Sequence, residues 1–146
     1  KLNLSDLLNV RSFLDHNRTY NRSTKKQTHS YKNISDYSYC WKGEQITNIE
    51  IQDDLVHHFK KWKKYTDKHG LLVIELHSTN INLTKNNLGS IPMISYMSTH
   101  GFSDQFILEH DVYKECIHKA GFDLLKNFEI TYPNKKLKMV SVHMLR

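Results

Sequence analysis

The chain has 146 residues, 38% hydrophobic and 25% charged, and a net charge of +6. That length suits one domain with a real core. No apolar run approaches the ~20 residues that a membrane-spanning helix requires, so no such helix is expected within these residues. The basic balance, with a sequence pI of 9.2, leaves two sources open: a nucleic acid or phosphate-bearing partner, or a coding bias towards Lys, Asn, Ile and Tyr.

Cys40 and Cys116 stand far apart with no Cys-x-x-Cys pair, which points to a reduced, cytoplasmic protein. No signal-peptide pattern is visible. A start at Lys1 that runs straight into Leu2, Leu4, Leu7 and Leu8 reads as a point inside a longer protein.

The first predicted element is a strand over 7–14, where apolar and polar residues alternate before the cluster Asp15-His16-Asn17-Arg18. Residues 19–48 are polar and too long for an ordinary connection, so they read as a functional or partly disordered loop. Tyr31, Tyr37, Tyr39 and Trp41 lie in its second half, facing a substrate or packing the loop onto the domain.

A helix is expected from about 51 to 69. Ile51, Leu55, Phe59 and Trp62 form one stripe, acidic residues open the helix, lysines close it, and Gly70 terminates it. Its lysines suit a solvated outer face better than a phosphate site. Leu71-Leu-Val-Ile-Glu-Leu76 reads as a parallel strand covered on both faces. Residues 77–102 read mostly as loop, and a second helix falls within 104–120, most securely from His110, closed by Gly121.

Two β-prone runs, 124–131 and 137–145, flank Tyr132-Pro133-Asn134 and predict an antiparallel hairpin. The class is therefore α/β, in the order strand, helix, strand, helix, strand, strand. The first three strands are expected parallel and the last antiparallel.

That order matches the second half of a Rossmann-like methyltransferase sheet. Ala120-Gly121-Phe122 before a terminal hairpin is common in that group. Three blocks narrow the likeness: Val10-Arg-Ser-Phe-Leu-Asp-His-Asn-Arg18, His69-Gly-Leu-Leu-Val-Ile-Glu-Leu-His77 and Thr99-His-Gly-Phe-Ser-Asp-Gln-Phe106. They resemble methyltransferase domains of the apratoxin polyketide synthase type. The resemblance implies S-adenosylmethionine as cofactor and methyl transfer to carbon, often on an acyl group held by a carrier protein. It also implies a bound iron or manganese ion in some members.

One departure stands out. Such enzymes grip the cofactor with a glycine-rich turn after the first strand. Here the glycines are Gly43, Gly70, Gly89, Gly101 and Gly121, with no Gly-x-Gly. The whole of 1–146 is therefore expected to be a single partial domain, the carboxyl-terminal part. The missing half, or another chain, would pair with its open sheet edge.

Ligands of open α/β sheets sit beyond the carboxyl ends of the strands. Glu75 and His77, two apart on a strand, face one side and suit proton removal from an acidic carbon, or a structural pair closing the strand. Within the resemblance, Asp15 and Asn17 would face the cofactor's methionine end, with capping of the turn as their plain alternative. Arg18 would bind a substrate carboxylate or phosphate, or form an ion pair. His16, His100 and Gln105, with His77, are candidate metal ligands, though ten histidines make chance clustering a competitor. Two other readings stay open: a catalytically silent module that binds a partner, and a basic nucleic-acid-binding domain or RNA methyltransferase.

Overall fold

The computed structural model describes residues 2–22, 29–87, 89 and 105–146. Within them the chain is α/β, with a four-stranded mixed sheet and a separate two-stranded hairpin.

The opening apolar run makes a shorter strand than its pattern suggests. Leu4–Asp6 is a 3-10 turn, β1 spans Asn9–Ser12, and Phe13 then takes a positive φ of 55°. Asn9 locks this arrangement, donating to the Leu4 and Leu7 carbonyls and, at 3.0 Å, to that of Tyr65.

The segment expected to be one long loop contains a hairpin, β2 (Tyr39–Trp41) and β3 (Glu44–Ile46). Its turn, Lys42-Gly43, has φ of 51° and 81°, the positive pair that matches strand twist in a two-residue loop. Tyr39 and Ile46, opposite each other in register, both enter the core. Trp41 meets Tyr20 edge-to-face at 5.4 Å, and the Tyr39 hydroxyl donates to the Ile107 carbonyl at 2.8 Å. The aromatic residues thus pack this segment onto the domain.

Helix α1 (Asn48–Thr66) starts earlier than its apolar stripe indicates, because Thr47 and Glu50 form a reciprocal capping box. Ile51, Leu55 and Phe59 are buried, while Trp62 is half-buried beneath the Arg11 guanidinium at 4.5 Å. Gly70, with φ of 84°, donates to the Thr66 carbonyl at 2.7 Å. A Cβ there would stand 2.6 Å from the Leu145 carbonyl oxygen, so glycine is required on two grounds.

β4 (Leu71–Leu76) pairs in parallel with β1. Its side chains alternate, with Leu71, Val73 and Glu75 buried and Leu72, Ile74 and Leu76 half-buried, which corrects the expectation of cover on both faces. Within the predicted 77–102 loop lies a short helix, α2 (Ile81–Asn86). Helix α3 (His110–Lys119) then leads into β5 (Leu124–Tyr132) and β6 (Val140–Leu145).

The sheet order is β1-β4-β6-β5. β6 lies antiparallel between β4 and β5, so β1, β4 and β5 run the same way. One sheet face carries Leu71, Val73 and Leu145 into a core with Leu55 and Phe59 of α1 and Val112, Cys116 and Ile117 of α3. On this register β6 turns Ser141 and His143 inward, and Val140, Val142 and Met144 to the other side. β1 is an edge strand, and Leu8, Val10, Phe13 and Leu14 around it are exposed.

Candidate functional site

The carboxyl ends of the parallel strands β1 and β4 lie side by side, and Glu75 organises what stands above them. Only 1% of it is exposed. Its Oε2 accepts the backbone N–H of Asp15 at 2.7 Å and of His16 at 3.2 Å. Its Oε1 lies 2.5 Å from His16 Nδ1 and also accepts the Leu76 N–H at 2.7 Å. A carboxylate at the end of an apolar strand needs such partners, and the loop after β1 supplies them.

Asp15 is the second anchor. Its Oδ1 accepts from Arg11 Nε at 2.7 Å and lies 3.1 Å from His58 Nε2, while Oδ2 accepts the Tyr113 hydroxyl at 2.8 Å. Burial opposes its ionisation. The His58 hydrogen bond and the Arg11 charge outweigh that and hold the carboxyl below its usual value. Burial, then the Asp15 and Glu75 charges, raises the Tyr113 phenol well above its own. Asp15 is thus held among its partners rather than presented to solvent.

Arg18 is likewise committed. Its guanidinium donates to Asp54 at 2.6 Å, to the Asp15 carbonyl at 2.9 Å and to the Ile51 carbonyl at 3.0 Å. Asn17 is exposed, and its Oδ1 accepts from Gln105 Nε2 at 3.4 Å. The Phe106 N–H donates to the His16 carbonyl at 2.8 Å, so the segment from Gln105 is stitched to the same loop. Asp15, His16, Arg18, Glu75 and Tyr113 line a narrow cleft with room for about one water.

His77 belongs to a different environment. It is fully buried, with Nδ1 3.3 Å from the Leu108 carbonyl and Nε2 2.6 Å from Ser141 Oγ. Nδ1–H donating to the carbonyl leaves Nε2 to accept the serine proton. Its ring meets His110 at 5.2 Å and Tyr113 at 4.9 Å. Burial, reinforced by His110 and His143, keeps it well below its usual pKa. Burial likewise lowers His110 and takes His143 to about 4.

Of the residues expected at a site, Asp15, His16, Asn17, Arg18, Glu75 and Gln105 therefore converge. The hydrogen bonds of Glu75 go to the β1 loop and its own neighbour, and those of His77 to Leu108 and Ser141; Glu75 therefore pairs with His16, a residue expected as a metal ligand, and not with His77 as expected. His100 lies outside the described residues.

Arg11, His58 and Tyr113 join the site without having been anticipated. His58 follows Leu55 at helical spacing, beside the buried stripe, which is the signal that would have found it. Ser141 and His143 occupy the inward register of β6, opposite Glu75 and Val73 of β4.

A search of curated proteins found no match. The model of the AprA MT2-like domain, a methyltransferase family, matches residues 1–143. With the match running over nearly the whole length, the chain belongs to the AprA MT2-like methyltransferase domain family.

Proposed function

We propose that this chain is the carboxyl-terminal part of an S-adenosylmethionine-dependent carbon methyltransferase acting on an acyl group held by a carrier protein, with His16 and Glu75 handling the proton. The observation that carries this reading is the 2.5 Å pairing of His16 Nδ1 with Glu75 Oε1 beyond the carboxyl ends of two parallel strands.

The chemistry follows from that pairing. Carbon methylation needs a proton removed from the carbon beside the acyl carbonyl. His16 Nε2 takes that proton, and the electron pair moves onto the carbonyl oxygen. Glu75 holds Nδ1–H, fixes the ring and balances the imidazolium charge. Tied to Asp54 and two backbone carbonyls, Arg18 positions this loop, while Asn17 and Gln105 form its exposed rim.

The cofactor contributes an electrophilic methyl group. The residues described do not by themselves fit it: the cleft has room for about one water, and the sequence has no Gly-x-Gly. The remaining half of the sheet would supply that turn. The exposed Leu8, Val10, Phe13 and Leu14 at the β1 edge support such a pairing. Calorimetry on the 146 residues alone should find little or no S-adenosylmethionine binding; micromolar affinity would contradict the half-site. With the full-length protein, a carrier-bound acyl group should gain one methyl on carbon, detected by mass spectrometry.

The same edge favours a second reading, a catalytically silent module that docks a partner. Absence of methyl transfer by a folded full-length protein that also fails to bind the cofactor would favour it.

A further inference from the structure

Beside the cleft, three side chains from three elements converge at the amino end of α3: His110 from its first turn, Glu129 from β5 and His143 from β6. Each offers one nitrogen or oxygen, and these atoms all lie within 4.8 Å of one another. Sheet register explains the meeting, since Glu129 and His143 stand opposite each other in the β5–β6 ladder.

The hydrogen bonding around them is incomplete in an informative way. His110 Nδ1 lies 3.0 Å from Asp111 Oδ1, and Lys138 holds that same oxygen at 3.1 Å. With the Nδ1 proton directed to Asp111, Nε2 of His110 carries a lone pair. It lies 3.2 Å from Glu129 Oε1, yet no hydrogen bond joins them. His143 Nε2 is also buried without a hydrogen-bond partner. Two buried, unpartnered imidazole nitrogens thus belong to residues that, with Glu129, bring one ligand atom each within 4.8 Å of the others.

We propose that His110, Glu129 and His143 bind a divalent cation of the zinc type. Two imidazoles and one carboxylate suit a borderline ion, and leave a fourth position for water. Bonds of about 2.0–2.2 Å in a tetrahedron separate two ligand atoms by roughly 3.3 Å. The His110–Glu129 pair, at 3.2 Å, already has that spacing. His143 closes the remainder by a small side-chain movement.

The surroundings fit. A carboxylate on the far nitrogen of a ligating histidine, as Asp111 is on His110, fixes its tautomer and orientation. Lys114 donates to Glu129 Oε1 at 3.0 Å and to Oε2 at 3.1 Å, so an ion on Oε1 would leave it the Oε2 bond. Glu129, 33% exposed at its side chain, leaves an entry path. The helix start and the Lys114 and Lys138 ammonium groups disfavour a cation, against which stand the Asp111 and Glu129 carboxylates. His77 borders the site but bonds Leu108 and Ser141, so it is a wall rather than a ligand. The ion would clamp α3 to the terminal hairpin, independently of any methyl transfer.

The test is calorimetric titration of metal-free protein with Zn²⁺, beside thermal melts with and without the ion. The expected result is one equivalent bound with a rise in Tm. His143→Ala should weaken binding about 100-fold, and Glu129→Gln about 10-fold with loss of the Tm rise. Substitution of exposed His57 or His69 by Ala should change neither. If His143→Ala does not fold, Glu129→Gln, at the open edge, decides. No binding by the wild type, or unchanged affinity in Glu129→Gln and in any folded His143→Ala, overturns the proposal.

Discussion

Glu75 and His16, 59 residues apart in sequence, meet side chain to side chain at 2.5 Å between Oε1 and Nδ1. The other carboxylate oxygen accepts the backbone N–H groups of Asp15 and His16. One side chain therefore both positions the imidazole and holds down the loop that carries it. The arrangement depends on β1 and β4 being parallel neighbours, which brings the loop after one strand to the end of the other.

Removing that carboxylate should be felt as stability. Glu75→Ala leaves three backbone N–H groups without their acceptor at a buried site. The expected loss is about 2–4 kcal/mol in urea unfolding. A loss below about 0.5 kcal/mol, the range of a surface substitution, would show that the loop is held by something else.

His77→Ala tests the separation of the two histidines. The substitution opens a cavity beneath α3 and strips Ser141 of its partner, so a loss of about 2–4 kcal/mol is expected. Turnover per folded molecule should stay within a few-fold of wild type. A stable variant with turnover reduced about 100-fold would instead restore His77 as the base.

The cysteines give a prediction that needs no activity. Burial pushes the Cys116 thiol from 9.0 to about 12, whereas Cys40 is exposed. A folded value raised above the unfolded one contributes stability that is complete below pH 9 and is lost as pH climbs towards 12. At about pH 8 an aromatic disulfide reagent should therefore titrate one thiol in the native protein and the second only after unfolding. Rapid modification of both thiols in the native state would contradict the burial of Cys116.

Periodicity made the main elements legible, since the stripe of Ile51, Leu55 and Phe59 and the run Leu71–Leu76 are local patterns with strong physical causes. The antiparallel ending was legible from turn chemistry at Pro133-Asn134. Boundaries were less so, because Thr47 and Glu50 cap a helix ahead of its apolar stripe. The hairpin at Lys42-Gly43 was hidden by strands of three residues, too short to show alternation.

The candidate site was legible as composition but not as pairing. Two residues on one strand face share a side, and that gave Glu75 and His77 as partners. Which neighbours they meet is set by other strands: the β1 loop reaches Glu75, and β6 brings Ser141 to His77. In β6 the apolar residues Val140, Val142 and Met144 alternate as a core face would, yet Ser141 and His143 face inward. Leu145 in the core and the polar cluster under α3 together account for that register.

Methyl transfer by the full-length protein carrying His16→Ala tests the central claim most directly, with rates to a carrier-bound acyl substrate measured beside a thermal melt. The proton-handling role of His16 predicts a loss of about 100-fold or more, with the melting transition preserved because the Glu75 bonds to the backbone of Asp15 and His16 remain. Wild-type turnover in folded His16→Ala would contradict it.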